Sequence, residues 1–152
     1  MKKIYLTKNQ RETILLGRKI AQKIIRKNKR KKALVLALIG DLGGGKTTFL
    51  KGFARGLGIK EKILSPTFVL IKKFNIKLRT SNFKHFYHID CYRIEKPKEI
   101  LDLGLREIIN NPKNIVAIEW ADKIQKILPK KTFFLEFEVL GRNKRKISFY
   151  SK

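Results

Sequence analysis

The sequence predicts a mixed α/β fold, with a parallel sheet at its centre and antiparallel strands added beside it. Three observations carry that prediction. Ala33 to Ile39 is an unbroken apolar run without alternation, the pattern of a strand buried on both faces. A glycine-rich stretch and then an apolar-periodic segment follow it directly, so the order is buried strand, loop, helix. Asn114 to Trp120 carries a second such run, Ile115 to Ile118.

The remaining elements fit around these. Thr7 reads as a helix N-cap, with Gln10 as its capping-box partner. Leu16, Ile20 and Ile24 then recur at helical spacing, with Ala21 and Ile25 beside them. The basic run Lys27 to Lys32 ends this helix, as a solvated turn or as a phosphate contact. Leu50, Phe53, Ala54 and Leu57 mark a second helix that Gly58 terminates. Ser65 and Pro66 break the chain before a strand over Thr67 to Phe74. A polar turn around Arg79 to Asn82 leads to a strand over Phe83 to Ile89, antiparallel to it. Pro97 opens a short helix carrying Ile100, Leu101 and Leu103. Ala121 to Leu128 reads as a helix stopped by Pro129. Thr132 to Leu140 and Lys146 to Tyr150 flank Gly141, Arg142 and Asn143 as a C-terminal hairpin.

Size and composition fit one domain over residues 1–152. The chain has 152 residues, of which 43% are hydrophobic, enough for a real core despite 32% charged residues. Lys and Arg number 37 against 12 Asp and Glu, a net charge of +25. Such a balance fits scattered surface lysines, a nucleic-acid face or an acidic protein partner. Cys91 is the single cysteine, which excludes an internal disulfide and suits a reducing compartment. The N-terminus does not read as a signal peptide, and the longest apolar run is too short to cross a bilayer. A cytoplasmic protein is expected.

Gly40 to Thr47 matches the P-loop pattern G-x-x-x-x-G-K-[ST] in full. Glycines let the backbone N–H groups of Asp41, Leu42, Gly43, Gly44 and Gly45 turn toward phosphate oxygens. Lys46 adds a positive point charge for the terminal phosphates, and Thr47 a hydroxyl for Mg²⁺. The helix that opens here, through Thr48, aims its N-terminal dipole at the anion. Such a loop needs a carboxylate near Mg²⁺. Asp90 follows the strand ending at Ile89, and Glu119 ends the strand over Ile115 to Ile118, from where it could reach the same metal and orient the attacking water. The alternative for each is a solvent-facing acid at a strand end. His85 and His88 stand three apart on a strand, on opposite faces, and lack the ligand number of a transition-metal site. Cys91 reads as a packing residue and Trp120 as a core or pocket-wall aromatic.

Together these motifs resemble the TsaE family, small P-loop ATPases of bacterial tRNA threonylcarbamoyladenosine biosynthesis. The matching pieces are Gly40 to Thr48, Ser65 to Phe68, His88 to Arg93 (HIDCYR) and Glu119 with Trp120, in that order. The segment around Leu103, Gly104 and Leu105 also fits, so the resemblance spans nearly the whole chain. Gly44 stands where the family often has Ala, and Ala121 and Asp122 follow Trp120 where Pro and Glu are frequent.

The resemblance implies a three-layered P-loop NTPase fold with a mixed sheet. It implies ATP and Mg²⁺ as ligands, with Lys46 and Thr47 on phosphate and metal. Asp90 would be the Mg²⁺ carboxylate and Glu119 the catalytic acid that positions water. Thr67 would belong to a switch-like loop near the γ-phosphate. The implied partners are TsaD and TsaB, which transfer the threonylcarbamoyl group to the adenosine next to the tRNA anticodon. The resemblance allows indirect contact with tRNA through that complex, and the charge leaves direct contact open.

Two competing readings share the motif. A small metabolite kinase would need a lid carrying arginines such as Arg93 or Arg106, and no lid insertion is visible. A basic RNA-binding module regulated by nucleotide would bind tRNA tightly without partners. No Asn/Thr-Lys-x-Asp motif of guanine recognition occurs in the chain.

Overall fold

The computed structural model describes residues 1–26, 30–65 and 69–152. Seven strands form one sheet, in the order β1-β7-β6-β2-β5-β4-β3. The strands are β1 (Lys3–Thr7), β2 (Leu34–Ile39), β3 (Ile71–Asn75), β4 (His85–Asp90), β5 (Asn114–Glu119), β6 (Phe133–Val139) and β7 (Arg145–Ser151). The central four, β6-β2-β5-β4, are mutually parallel. On one side β7 pairs antiparallel with β6, and β1 antiparallel with β7; on the other β3 pairs antiparallel with β4.

The sheet is the middle of three layers, and strand alternation decides what each layer receives. Leu34, Leu36 and Leu38 of β2, Ile115 and Ala117 of β5 and Phe86 of β4 face the helices α1 (Gln10–Ile25) and α2 (Lys46–Gly56). Val35 and Ala37 of β2, Val116 and Ile118 of β5 and Ile89 of β4 face the opposite layer. There lie α3 (Pro97–Asp102), α4 (Leu105–Asn110) and a 3₁₀ segment, Ala121–Ile127. Both faces are covered, so the central strands read as continuous apolar runs. The expected mixed α/β architecture is what the chain forms.

Helices α1 and α2 cross at unusual proximity because glycines line the contact. A Cβ on Gly52 would stand 1.8 Å from the carbonyl oxygen of Ile14, and one on Gly17 would stand 2.2 Å from that of Phe49. Gly56 meets Arg18 in the same way, at 2.6 Å. Since α2 begins at Lys46, this packing sets where the loop before it stands.

Several boundaries differ from expectation. Thr7 belongs to β1, an edge strand paired with β7, and does not cap α1. Asn9 takes that role: its Oδ1 accepts the Glu12 N–H at 2.9 Å, while Glu12 accepts the Lys8 N–H at 2.7 Å. The side-chain cap lies two residues further on than expected, because the ladder claims Thr7, and Glu12 reaches back to the Lys8 N–H rather than to that of the N-cap. The strand expected over Thr67 to Phe74 is Ile71–Asn75; its expected start at Thr67 and Phe68 falls outside the described residues. The helix opened by Pro97 ends at Asp102, and a second begins at Leu105 after Gly104, whose φ of 93° breaks the run. Ala121–Ile127 is 3₁₀ with a kink at Ile124 rather than an α-helix. No helix among the described residues is long and apolar enough to cross a membrane.

Candidate functional site

The site sits at the carboxyl ends of β2, β5 and β4, where open α/β sheets hold their ligands. Strand β2 delivers the chain to Gly40, and the loop turns into α2. Gly43 at φ 74° and Gly45 at φ 101° occupy the left-handed region, which a residue with a Cβ enters only under strain. Gly45 is the N-cap of α2, with no side chain capping the helix. The free N–H groups of the first turn therefore face the loop.

A cavity of about 590 Å³ opens over this loop. Leu42, Gly43, Gly44, Gly45, Lys46, Thr47 and Thr48 line it, and Asp90, Glu119 and Trp120 close its far side. Of the residues expected to bind phosphate or metal, from Asp41 to Thr48 with Thr67, Asp90 and Glu119, all line it except Asp41 and Thr67. Asp41 takes part through its backbone carbonyl, which accepts from Lys46 Nζ at 2.9 Å and from the Gly44 N–H at 3.0 Å. Thr67 lies outside the described residues.

Lys46 is almost fully buried. Its ammonium donates to the carbonyls of Gly40 and Asp41 and lies 4.3 Å from the centroid of the Trp120 ring. Desolvation pulls its pKa below the usual lysine value, and the carboxylates of Glu119, Asp90, Asp41 and Asp122 oppose that shift. Trp120 is thus a pocket wall, and it holds a left-handed backbone, φ 56°, which costs on the order of 1–2 kcal/mol for a residue with a Cβ. Its ring packs on Tyr92 at 5.1 Å.

The two acids differ in what they touch. Glu119 reaches across one strand to α2: the Thr47 hydroxyl donates to its Oε1 at 2.9 Å and to its Oε2 at 3.1 Å. His88 Nε2 lies 2.9 Å from the same Oε1. Asp90 stands beside Glu119 in the parallel register, one strand further from the loop. Its Oδ1 accepts the Tyr92 N–H at 2.9 Å and its Oδ2 accepts the Ser65 hydroxyl. Glu119 therefore faces the hydroxyl that ends the P-loop, and Asp90 ties the Ser65 segment to the turn after β4. Cys91 is buried, and burial with the nearby Asp90 charge pushes its thiol up to about 12, so it stays a protonated packing group. His85 bonds Asn114 at 3.3 Å, away from the loop.

The fold also brings residues that no local pattern announces. Gln10 and Thr13 from the start of α1 line the cavity, as do Asn143 and Arg145 from the β6–β7 hairpin. Arg145 donates to the Gly43 carbonyl at 3.0 Å. These two residues sit 102 positions apart, and only the pairing of β7 with β1 and β6 sets Arg145 beside the loop.

Comparison with known proteins agrees with this geometry. The family model described as "Threonylcarbamoyl adenosine biosynthesis protein TsaE" matches residues 7–147. The tRNA threonylcarbamoyladenosine biosynthesis protein TsaE of Bacillus subtilis is 43% identical over 115 residues, 76% of this chain and 68% of that protein. The protein of the same name from Rickettsia felis is 37% identical over 138 residues, 90% of this chain and 73% of that one. Among solved structures, the crystal structure of YdiB from Bacillus subtilis superposes with a TM-score of 0.76 at 32% identity, covering 99% of this chain and 86% of that one. Motifs, fold and relatives coincide: the chain belongs to the TsaE family, the proteins of tRNA threonylcarbamoyladenosine biosynthesis.

Proposed function

We propose that this protein is a cytoplasmic, Mg²⁺-dependent ATPase whose hydrolysis supports a TsaD–TsaB complex in modifying tRNA. One observation carries the ATPase reading: the Thr47 hydroxyl and both oxygens of Glu119 meet beside a complete P-loop. Mg²⁺ in such sites takes one or two protein oxygens, with phosphate oxygens and waters filling its shell. The donor set of Thr47, Glu119 and the adjacent Asp90 fits that demand. When bound, the ion neutralises charge on the β- and γ-phosphates.

The chain's own residues supply the rest. Backbone N–H groups from Asp41 to Lys46 and the first turn of α2 receive the phosphates. Lys46 leaves the carbonyls of Gly40 and Asp41 for the terminal phosphates, a stronger partner for an ammonium. Thr48 extends the contact along the helix. Glu119 holds Thr47 and orients a water for in-line attack, and Asp90 completes the acidic side. Thr67, two residues beyond Ser65, is assigned to sensing the γ-phosphate. Ser65 supports that assignment, since its hydroxyl on Asp90 ties the start of this segment to the site.

Trp120 offers a direct reporter. The ammonium of Lys46 lies 4.3 Å from the centroid of its ring, and nucleotide is expected to draw that charge away. Titration with ATP–Mg²⁺ should change the emission of this single tryptophan. A silent indole at saturating nucleotide would disconnect Trp120 and Lys46 from the phosphate site.

The assembly role is tested by multi-turnover tRNA modification with TsaD, TsaB and a threonylcarbamoyl donor. Wild type should sustain turnover, whereas Lys46→Ala and omission of the chain should both lower it. Equal turnover in all three reactions, with no complex formed in ATP or ADP, would reopen the kinase reading. With a net charge of +25, docking on acidic surfaces should weaken as salt rises.

A further inference from the structure

His88 is a fully buried imidazole beside Glu119, and among the described residues no cluster of His, Cys, Asp and Glu makes it a metal ligand. Its side chain has no solvent exposure, and its Nε2 lies 2.9 Å from Glu119 Oε1. Its other ring nitrogen, Nδ1, is buried without a hydrogen-bond partner among the described residues. A carboxylate only accepts, so Nε2 carries a proton and donates it to Glu119. An apolar side chain would fill this volume without an orphaned polar atom. The contact with Glu119 is therefore what the imidazole supplies.

The register explains how it reaches. His88 on β4 pairs with Ala117 on β5, two residues before Glu119 and on the same sheet face. Ala117 is small and leaves the ring room to run along β5 toward the carboxylate. Oε1 of Glu119 then accepts from both Thr47 and His88, while among the described residues Oε2 accepts from Thr47 alone, at 3.1 Å. The acid is held from two sides, by the helix of the P-loop and by the neighbouring strand.

We propose that His88 is a positioning residue: its Nε2–H pins one oxygen of Glu119, so the other is presented in fixed orientation to metal and water. This rests on the reading of Glu119 given above. It also explains why the histidine stands two residues before Asp90 on β4, where its side chain shares a face with that acid. Partners that orient a reacting ligand from behind typically matter 10–100-fold.

The test compares His88→Leu with His88→Gln, whose amide nitrogen can replace Nε2, and runs Glu119→Gln beside them. Single-turnover and steady-state ATP hydrolysis are measured, with thermal melting to verify folding. His88→Leu is expected to lower kcat by about 10–100-fold and to raise the Mg²⁺ concentration needed for half-maximal rate. KM for ATP should move by less than about threefold, and His88→Gln should recover most of the rate. Equal loss in both variants, or no loss in His88→Leu, would overturn the proposal. If His88→Leu does not fold, His88→Asn takes its place, since its shorter amide cannot reach Glu119. A Glu119→Gln variant at wild-type rate would instead defeat the reading of Glu119. A slow Glu119→Gln beside a normal His88→Leu would remove only His88.

Discussion

Glu119→Gln is expected to slow ATP hydrolysis by on the order of 10²–10⁴-fold while ATP affinity changes far less. A group that orients water acts mainly in the transition state, so its loss falls on the chemical step rather than on binding. Because Glu119 also faces the Thr47 hydroxyl, the Mg²⁺ requirement should rise with it. Asp90→Ala should behave differently. On the proposed role it would remove charge from the metal's surroundings, and it releases Ser65 and the Tyr92 N–H, so Mg²⁺-dependent binding should weaken by roughly tenfold or more. Calorimetric affinity with and without Mg²⁺, set against single-turnover rates, separates the two variants. Normal hydrolysis by the Glu119 variant would remove it from the chemistry, and unchanged Mg²⁺ dependence in the Asp90 variant would remove that residue from the metal's surroundings.

Gly52→Ala is expected to be among the most destabilising single-methyl changes in the chain. Two effects compete. Alanine is the better helix former, by about 1 kcal/mol. Against this, its Cβ would stand 1.8 Å from the Ile14 carbonyl oxygen, a backbone atom that cannot rotate away. Forcing atoms into a packed contact costs about 1–3 kcal/mol where side chains can adjust, and occasionally more. Here α1 must move off α2 as a body, so a net loss of about 3 kcal/mol is expected. For a chain of this size that is a fall in Tm of roughly 6–12 °C. Gly141→Ala, with nothing within 4 Å of its Cβ, is the control and should melt close to wild type. A Gly52 variant that also melts within about 2 °C of wild type would mean the helices are not held at this distance. Displacement of α2 carries Lys46 and Thr47 with it, so nucleotide affinity should fall together with Tm.

The strand–loop–helix start of the site was legible because it is contiguous in the chain. The apolar run to Ile39, the glycines and the Lys46–Thr47 pair are neighbours, and local backbone preference suffices to place them. The order of motifs likewise identified the family that the comparisons show. Boundaries were less legible where two local signals competed. Thr7 and Asn9 can both cap a helix, and only the pairing of β1 with β7 removes Thr7 from the contest. The break at Gly104 and the 3₁₀ turns after Trp120 likewise depend on backbone angles that the residue pattern does not encode.

What the sequence determined by itself was the chemistry on offer: a phosphate loop, two acids at strand ends, and a sheet buried on both faces. Which acid meets the loop was decided by the tertiary structure. Thr47 and Glu119 are 72 residues apart, and their contact follows from β5 lying next to β2 while β4 lies one place further out. The same strand order sets His88 behind Glu119, Trp120 under Lys46 and Arg145 against Gly43. The glycines that bring α1 onto α2 are silent in sequence, since a missing side chain has meaning only when another backbone occupies its place. Residue type decides what a group can do; strand order and register, set by long-range pairing, decide what it does it to.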